Sequence, residues 1–312
     1  MSHHQTATES AHTDDHDHDH GLAHDLATIR RLQIGRRRAL LWLGSAGSTA
    51  LLVGCGGESG SSTSTATTIA TGTVTATPTP TPTPTTTATP TPSGTCTVPA
   101  TETNGPYPAD GTNTSSGATS NVLTYTGVVR QDIRSSFVGS STTTATGIRL
   151  DITITLVDAN NSCAPLAGYA VYIWHCDRSG NYSLYNLPAE SYLRGVQVSD
   201  ANGKLTFTTI FPGCYTGRYP HIHFEVFSSL SNAIGGRYAR LISQFALPAT
   251  QCAQVYATSD YSGSRTPYSS SSLSSDNVFG DNSTAQMAVM TLTMSGDTSA
   301  GFTASATIGI AT

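Results

Sequence analysis

The sequence has few charged residues and, after its first 24 residues, very little histidine. Only 11% of its 312 residues are charged, and seven of its 10 histidines lie before residue 25. From residue 96 to the end there are 10 basic and 13 acidic residues, and neither sign forms a run. A nucleic-acid-binding protein needs a basic patch to neutralise phosphates, so this composition excludes nucleic acid as an expected partner.

One long stretch lacks the residues from which a protein core is built. Residues 56–95 contain no aromatic residue, no lysine or arginine and a single acid, Glu58. Such a segment cannot bury enough apolar surface to fold, and its alternating Thr-Pro run at 77–84 favours an extended polyproline II conformation. We therefore expect residues 55–95 to be a disordered linker, rich in Thr, Ser and Pro, that serves as a stalk.

The first 54 residues have the features of an export signal. Three arginines at 36–38 precede an uncharged stretch, 39–54, which is too short to span a bilayer comfortably. This pattern is typical of a twin-arginine signal, and the Leu-Val-Gly-Cys that ends at Cys55 resembles a bacterial lipobox. We expect residues 1–54 to be removed and Cys55 to carry lipid, giving a cell-surface or periplasmic lipoprotein that touches the membrane only through this anchor. The alternative is an ordinary buried helix with a chance cysteine.

Residues 96–312 show the patterns of β-strands and no long helical period. Apolar and polar residues alternate, or the run is apolar on both sides, in five segments: 150–156, 168–176, 205–210, 287–294 and 302–310. Asp, Asn, Ser and Gly supply turns between several of them, including 200–203 and 295–297. Many short strands predict one all-β unit, an antiparallel β-sandwich or barrel.

Five cysteines follow Cys55, and an odd number cannot all form pairs. In an oxidising compartment we expect two disulfides and one free thiol, with the connectivity open. Cys214 adjoins Tyr215, so one hypothesis is that a disulfide there braces that loop. The five are Cys96, Cys163, Cys176, Cys214 and Cys252.

Two of the three histidines after residue 24 are His221 and His223, separated by one residue. On a strand, residues i and i+2 face the same side about 6.5–7 Å apart, so both imidazoles would point to one place. That is a candidate metal site, although paired histidines also occur in ordinary cores and surfaces. Glu225 would face the same side, deeper along the strand. The third histidine, His175, has no partner pattern and is expected to be structural.

Three stretches make a family recognisable. They are WHCDRSGNYSLY at 174–185, the segment 193–224 that ends in PGCYTGRYPHIHF, and TNGPY at 103–107. They resemble the intradiol ring-cleavage dioxygenases, the family of the protocatechuate and catechol dioxygenases and their exported relatives. The resemblance is close from 96 to 227 and loose over the last 80 residues. It implies that 96–312 is a catalytic β-sandwich of the intradiol dioxygenase type.

The resemblance also implies roles for individual residues. The family's iron ligands fall on Tyr182, Tyr215, His221 and His223, and its active-site arginine falls on Arg218. Two tyrosinates would offset much of the charge of ferric iron, Fe(3+), with neutral imidazoles completing the shell. The implied reaction is cleavage of a catechol-type compound by O₂ between its hydroxyl-bearing carbons, which gives a cis,cis-muconate-type product. Tyr215 would leave the metal when substrate binds, and Arg218 would stabilise charge on the ring.

Two other functions remain open from the sequence. The domain could be a non-catalytic, surface-tethered binding module, or a secreted copper or zinc protein that uses only His221 and His223. The six-residue spacing from Tyr215 to His221 is shorter than in the protocatechuate enzymes, and this favours a more open site with a broader substrate range. The identity of the catechol and the oligomeric state are open as well.

Overall fold

A computed structural model describes residues 96–312, which form two β-sheets connected by loops and short helices. These residues belong to one structural unit. The predicted signal peptide, the lipid site at Cys55 and the linker lie outside the described residues. Within the described part of the chain, no helix is long and apolar enough to cross a bilayer.

The described residues contain nine strands and three α-helices, together with short 3₁₀ turns. The strands are β1 (Arg149–Asp158), β2 (Ala164–Pro165), β3 (Ala170–Trp174), β4 (Arg194–Val198), β5 (Lys204–Ile210), β6 (His221–Phe227), β7 (Leu241–Ala246), β8 (Thr293–Asp297) and β9 (Gly301–Ile310). The α-helices are α1 (Ala249–Tyr256), α2 (Arg265–Ser269) and α3 (Thr284–Met290), and the 3₁₀ turns are Val122–Thr124, Leu230–Asn232, Gly236–Tyr238 and Ser259–Ser264.

The first sheet is built around β1. Strand β1 pairs with β5 and β2 on one edge and with β9 on the other, and β8 continues beyond β9. The second sheet has the order β4-β3-β6-β7, with every neighbouring pair antiparallel. Strand β6, which carries both predicted metal-binding histidines, is therefore an inner strand of the second sheet.

The main core is formed by the faces of the two sheets that point towards each other. On β1, every second side chain from Leu150 to Leu156 is buried, as the alternation predicts, and these side chains form one cluster with Phe207, Phe224 and Phe302. The other face of the second sheet carries Tyr172 and Trp174 and is covered by segments that precede β1. Both faces of β6 are buried, and this places His221 and His223 in the interior.

Most of the predicted strands are confirmed, with three corrections. The 287–294 segment is not one strand: α3 ends at Met290, and β8 begins at Thr293. Helix α3 forms because Ser283 and Gln286 make a capping box at its start, which outweighs a short apolar alternation. The turn expected at 295–297 lies at 298–300 instead.

The third correction concerns strand direction. Strands β1 and β9 pair in parallel, with Leu150 opposite Phe302, so the first sheet is mixed rather than purely antiparallel. Alternation within a strand is the same for either direction of pairing, so the sequence pattern could not decide this point.

The cysteine prediction is also wrong. One disulfide, Cys96–Cys163, joins the start of the domain to the connection between β1 and β2. The other three cysteines, Cys176, Cys214 and Cys252, are free and buried. The brace hypothesis for Cys214 fails because its thiol lies 3.6 Å from the carbonyl oxygen of Arg218, inside the core. Burial raises the pKa of the Cys214 thiol to about 12.

We predict that Cys163→Ser lowers the free energy of unfolding by about 2–4 kcal/mol, because the disulfide closes a loop between residues 67 positions apart. Urea unfolding with and without a reductant measures this. The reductant should destabilise the wild type and leave the variant unchanged. An equal effect of the reductant on both proteins would contradict the single-disulfide assignment.

Candidate metal centre

Four side chains predicted from the sequence meet at one point in the interior. The Oη atoms of Tyr182 and Tyr215 are 3.3 Å apart, and each lies close to Nε2 of His221, at 3.4 Å and 3.2 Å respectively. Nε2 of His223 lies 3.1 Å from Nε2 of His221. We call Tyr182, Tyr215, His221 and His223 the donor cluster. Its four polar atoms come from one strand and two separate loops.

The histidines are oriented by their surroundings. Nδ1 of His221 lies 2.6 Å from the carbonyl oxygen of Tyr219, to which it donates, so Nε2 keeps its lone pair. The ring of His223 stacks on the indole of Trp174, its neighbour across the β3–β6 ladder, with 4.8 Å between centroids and 8° between planes. Gly105 also lies against this ring, with φ of +69°, and a Cβ there would lie 3.1 Å from Cε1 of His223. Both the positive φ and the close approach favour glycine at that position.

Burial sets the protonation of this cluster. Burial, with help from the nearby charge of Arg218, lowers the pKa of His221 to about 3, and burial together with His221 lowers the pKa of His223 well below its usual value. Both imidazoles are therefore neutral at pH 7, which is the form that binds metals. Burial also raises the pKa of Tyr182 far above that of a free phenol, so this phenol ionises only if a cation compensates it.

Tyr182 is fixed by the loop that follows β3. Asp177 accepts hydrogen bonds from the backbone N–H groups of Ser179 and Asn181, which makes a tight turn, and the N–H of Tyr182 donates to Oδ1 of Asn186. The ring of Tyr107 lies 4.8 Å from the ring of Tyr182. Only 1% of Tyr182 is exposed.

Tyr215 is more exposed than Tyr182. It lies in the loop between β5 and β6 and is only partly buried. A cavity of about 310 Å³ adjoins it, lined by residues that include Tyr107, Asn181 and Thr216. Tyr215 is the member of the donor cluster that lines this cavity.

Arg218 is buried beside the cluster and not on the surface. Its Nη1 lies 3.4 Å from Nε2 of His221, Nη2 donates to Oε1 of Gln244 at 2.6 Å, and Nε donates to Oδ2 of Asp276 at 3.1 Å. Burial acts to lower the pKa of Arg218, but the neighbouring Tyr215 and Asp276 raise it overall, so the guanidinium is charged.

Two of these neighbours were missed from the sequence. Gln244 lies directly opposite His223 in the β6–β7 ladder, so pairing β6 with β7 would have placed it there. Asp276 lies in a serine-rich segment outside every strand and helix, and no periodicity indicated it.

Two other polar residues lie near the cluster without joining it. His175 is buried with Nδ1 2.7 Å from the carbonyl oxygen of Cys176 and Nε2 2.7 Å from Oγ1 of Thr209, which is a structural arrangement, as predicted. Glu225 faces the same side of β6 as His223, as predicted. Burial and the adjacent Asp110 raise the pKa of Glu225 well above its usual value, so it is a neutral acid.

Carboxylates and thiols do not complete the histidine pair. Among residues 96–312, no group of three or more His, Cys, Asp and Glu side chains is arranged to hold a metal ion. The groups that meet the two imidazoles are phenols, and phenolates are hard oxygen donors suited to a highly charged cation.

Comparison with known proteins finds a matching family model and similar structures. The family model Dioxygenase_C, described as dioxygenase, matches residues 128–247, which contain the whole donor cluster and Arg218. An intradiol ring-cleavage dioxygenase from Tetranychus urticae is similar in structure, with 24% identity, a TM-score of 0.52 and coverage of 69% of this chain and 95% of that one. The resemblance to the intradiol ring-cleavage dioxygenases is therefore confirmed for the region that carries the donor cluster. The match supports an enzyme of the dioxygenase class, and the reading as a non-catalytic binding module is not supported.

Other solved structures are similar to this chain. A second dioxygenase structure has 25% identity and a TM-score of 0.52, with coverage of 69% of this chain and 95% of that one. The dioxygenase domain of a carbohydrate-binding fusion protein from Streptomyces sp. SirexAA-E has 19% identity, a TM-score of 0.40 and coverage of 69% and 100%. No curated protein sequence matches the chain.

A buried arginine holds together the segments that carry Tyr107 and Tyr182. Arg194 is fully buried and donates to the carbonyl oxygens of Tyr107 and Pro108, to the hydroxyl of Tyr172, and to both Oγ and the carbonyl oxygen of Ser183. These acceptors match the planar, forked set of donors on a guanidinium, which the ammonium group of a lysine does not have.

We predict that Arg194→Lys lowers the free energy of unfolding by about 3 kcal/mol, because several buried acceptors lose their donor. Thermal and urea unfolding measure the change. Arg149→Lys is the control: the Arg149 side chain is half exposed and forms an ion pair with Asp151 on the surface, so the substitution should leave the free energy of unfolding close to that of the wild type. Equal stability of the two variants would refute the role of Arg194 in holding together the segments that carry Tyr107 and Tyr182.

Proposed function

We propose that this dioxygenase binds one ferric ion through the donor cluster and uses O₂ to cleave catechol-type compounds between their two hydroxyl-bearing carbons, giving cis,cis-muconate-type products. The observation that carries the proposal is the convergence of the four polar atoms, with neighbouring pairs 3.1–3.4 Å apart. Metal–nitrogen and metal–oxygen bonds of about 2 Å place adjacent ligand atoms roughly 3 Å apart, so the spacing fits one metal ion.

The chemistry of the donors favours ferric iron over a softer or less charged ion. Two neutral imidazoles and two phenols, with no thiol in the cluster, match a hard cation that can drive the loss of phenol protons. The burial of Tyr182 strengthens this argument, because its phenolate is stable there only beside a strong positive charge. Metal uptake is expected to release protons from Tyr182 and Tyr215.

The chain's own residues then have distinct tasks. Bound iron supplies a Lewis acid that makes the catechol ring reactive towards O₂. Tyr182 is deeply buried and packed against Tyr107, so it stays in place throughout. Tyr215 is partly exposed at the cavity, so its Oη is the atom that can accept a proton from a catechol hydroxyl as substrate enters. Arg218, with Nη1 next to the cluster, stabilises negative charge that develops on the ring.

The location of the enzyme is also part of the proposal. The twin-arginine pattern at 36–38 and the lipobox-like residues before Cys55 support export and lipid attachment, with the domain at 96–312 held away from the membrane by the linker. The disulfide Cys96–Cys163 is compatible with an oxidising compartment.

We predict that the purified protein contains about one iron per chain, has a burgundy colour from tyrosinate-to-iron charge transfer, and consumes O₂ when a catechol is added. Tyr182→Phe should remove a charged ligand, shift and weaken the visible band, and lower the rate of O₂ uptake by about 100-fold or more. The measurements are metal analysis, visible absorption and an oxygen electrode.

Tyr238→Phe is the matched control, because this tyrosine is 42% exposed and contacts Arg237 on the surface. It should keep wild-type colour, iron and rate. A protein that holds stoichiometric copper or zinc, and keeps it in Tyr182→Phe, would favour a site made of the histidine pair alone and refute the proposal.

A further inference from the structure

The guanidinium of Arg218 is held by groups on two sides. On one side Asp276 accepts from Nε through Oδ2 at 3.1 Å and lies 3.5 Å from Nη2 through Oδ1. On the other side Gln244 accepts from Nη2 at 2.6 Å. Arg218 and Asp276 both have nearly inaccessible side chains, with 2% and 0% exposed. Bonds at Nε and Nη2 fix the plane of the guanidinium, which leaves Nη1 facing the donor cluster.

Asp276 is itself anchored by backbone donors. Oδ2 accepts from the N–H of Tyr219 at 2.6 Å, and Oδ1 accepts from the N–H groups of Val278 and Phe279 at 2.8 Å and 3.2 Å. Although burial acts to raise it, the charge of Arg218 and the N–H of Tyr219 hold the pKa of Asp276 below its usual value. The carboxylate therefore has a fixed position relative to the loop that leads to His221.

This contact comes from a part of the chain that the family match does not include. The matched region ends at residue 247, and Asp276 lies in the segment between α2 and α3. That segment packs against the loop between β5 and β6, in which Tyr215 and Arg218 lie. The contact is a small apolar cluster that includes Tyr219, Val278, Phe279 and Met290. The segment therefore contributes contacts to Arg218 from outside the matched residues 128–247.

We propose that Asp276 is a positioning residue for the reaction: it orients Arg218 so that Nη1 faces the donor cluster during ring cleavage. Asp276 does not touch the cluster itself and acts only through the guanidinium. The inference rests on the proposed function, because Arg218 has a task only if charge develops on a bound ring.

The first test is Asp276→Asn in the full-length, iron-loaded protein with catechol as substrate. The carboxamide keeps the size of the side chain but loses the ion pair, so Nη1 is no longer held in place. We expect kcat to fall about 10- to 100-fold, with KM, iron content and the visible band unchanged within about twofold. Asp132→Asn is the control, because Asp132 forms an exposed ion pair with Arg134, and it should keep wild-type kcat.

A double-mutant cycle tests whether Asp276 acts through Arg218. Arg218→Lys should lower kcat by about 100-fold, and adding Asp276→Asn should lower it no further than about threefold. If Asp276→Asn does not fold, Asp276→Glu replaces it. That variant keeps the charge but moves the carboxylate by about 1.5 Å, and it should reduce kcat with iron retained.

Three results would overturn the inference while leaving the proposed function intact: unchanged kcat in Asp276→Asn or Asp276→Glu, loss of iron and colour in both variants, or effects on kcat that multiply in the double variant. Failure of the proposed function is distinguishable, since a wild-type protein without iron, or without O₂ uptake on every member of a panel of catechol-type compounds, refutes both proposals together.

Discussion

Burial of ionisable donors beside a fixed positive charge is the constraint on which the site depends. Burial keeps His221 and His223 neutral, and it keeps the phenol of Tyr182 protonated in the absence of a cation. Water cannot solvate a phenolate at this depth, so only a bound cation can stabilise one. An apolar interior thus makes the ionisation of the site depend on the metal, and the same interior makes Arg218 costly unless it is compensated.

The fold supports the four members of the donor cluster in different ways. The histidines lie on β6, an inner strand paired on both edges, and stacking on Trp174 fixes one ring. Tyr182 lies on a loop, but two contacts hold that loop in place. Asp177 accepts a hydrogen bond from the N–H of Asn181, and Arg194 on β4 donates to the carbonyl oxygen of Ser183. Tyr215 lies in the loop between β5 and β6, is partly exposed and borders the cavity. Sites built on strands are held more precisely than sites on loops, so the two histidines are the most precisely placed donors.

The sequence predicted the donor cluster because its members lie in short, recognisable stretches. Alternation placed both histidines on one side of β6, and the tyrosines followed from the family resemblance rather than from periodicity. Arg218 was found in the same way, but its partner Asp276 was not, since a residue in an irregular segment leaves no periodic signal. Contacts of this kind depend on how distant loops pack, and that is decided by tertiary structure.

The same limit applies to the architecture. Alternation located most strands, but it could not show that β1 and β9 run in parallel, and it misassigned α3, where a capping box outweighed a short apolar pattern. The disulfide also depended on tertiary proximity: Cys96 and Cys163 meet across the chain, whereas the other three thiols lie inside the core with no partner in a disulfide.

The position of β9 has a consequence for biosynthesis. Strand β9 lies between β1 and β8, inside the first sheet and not at its edge. A growing chain on the ribosome therefore holds β1 with one side unpaired until β9 has been made. Until that strand is added, the open edge of β1 is exposed to wrong pairing and aggregation.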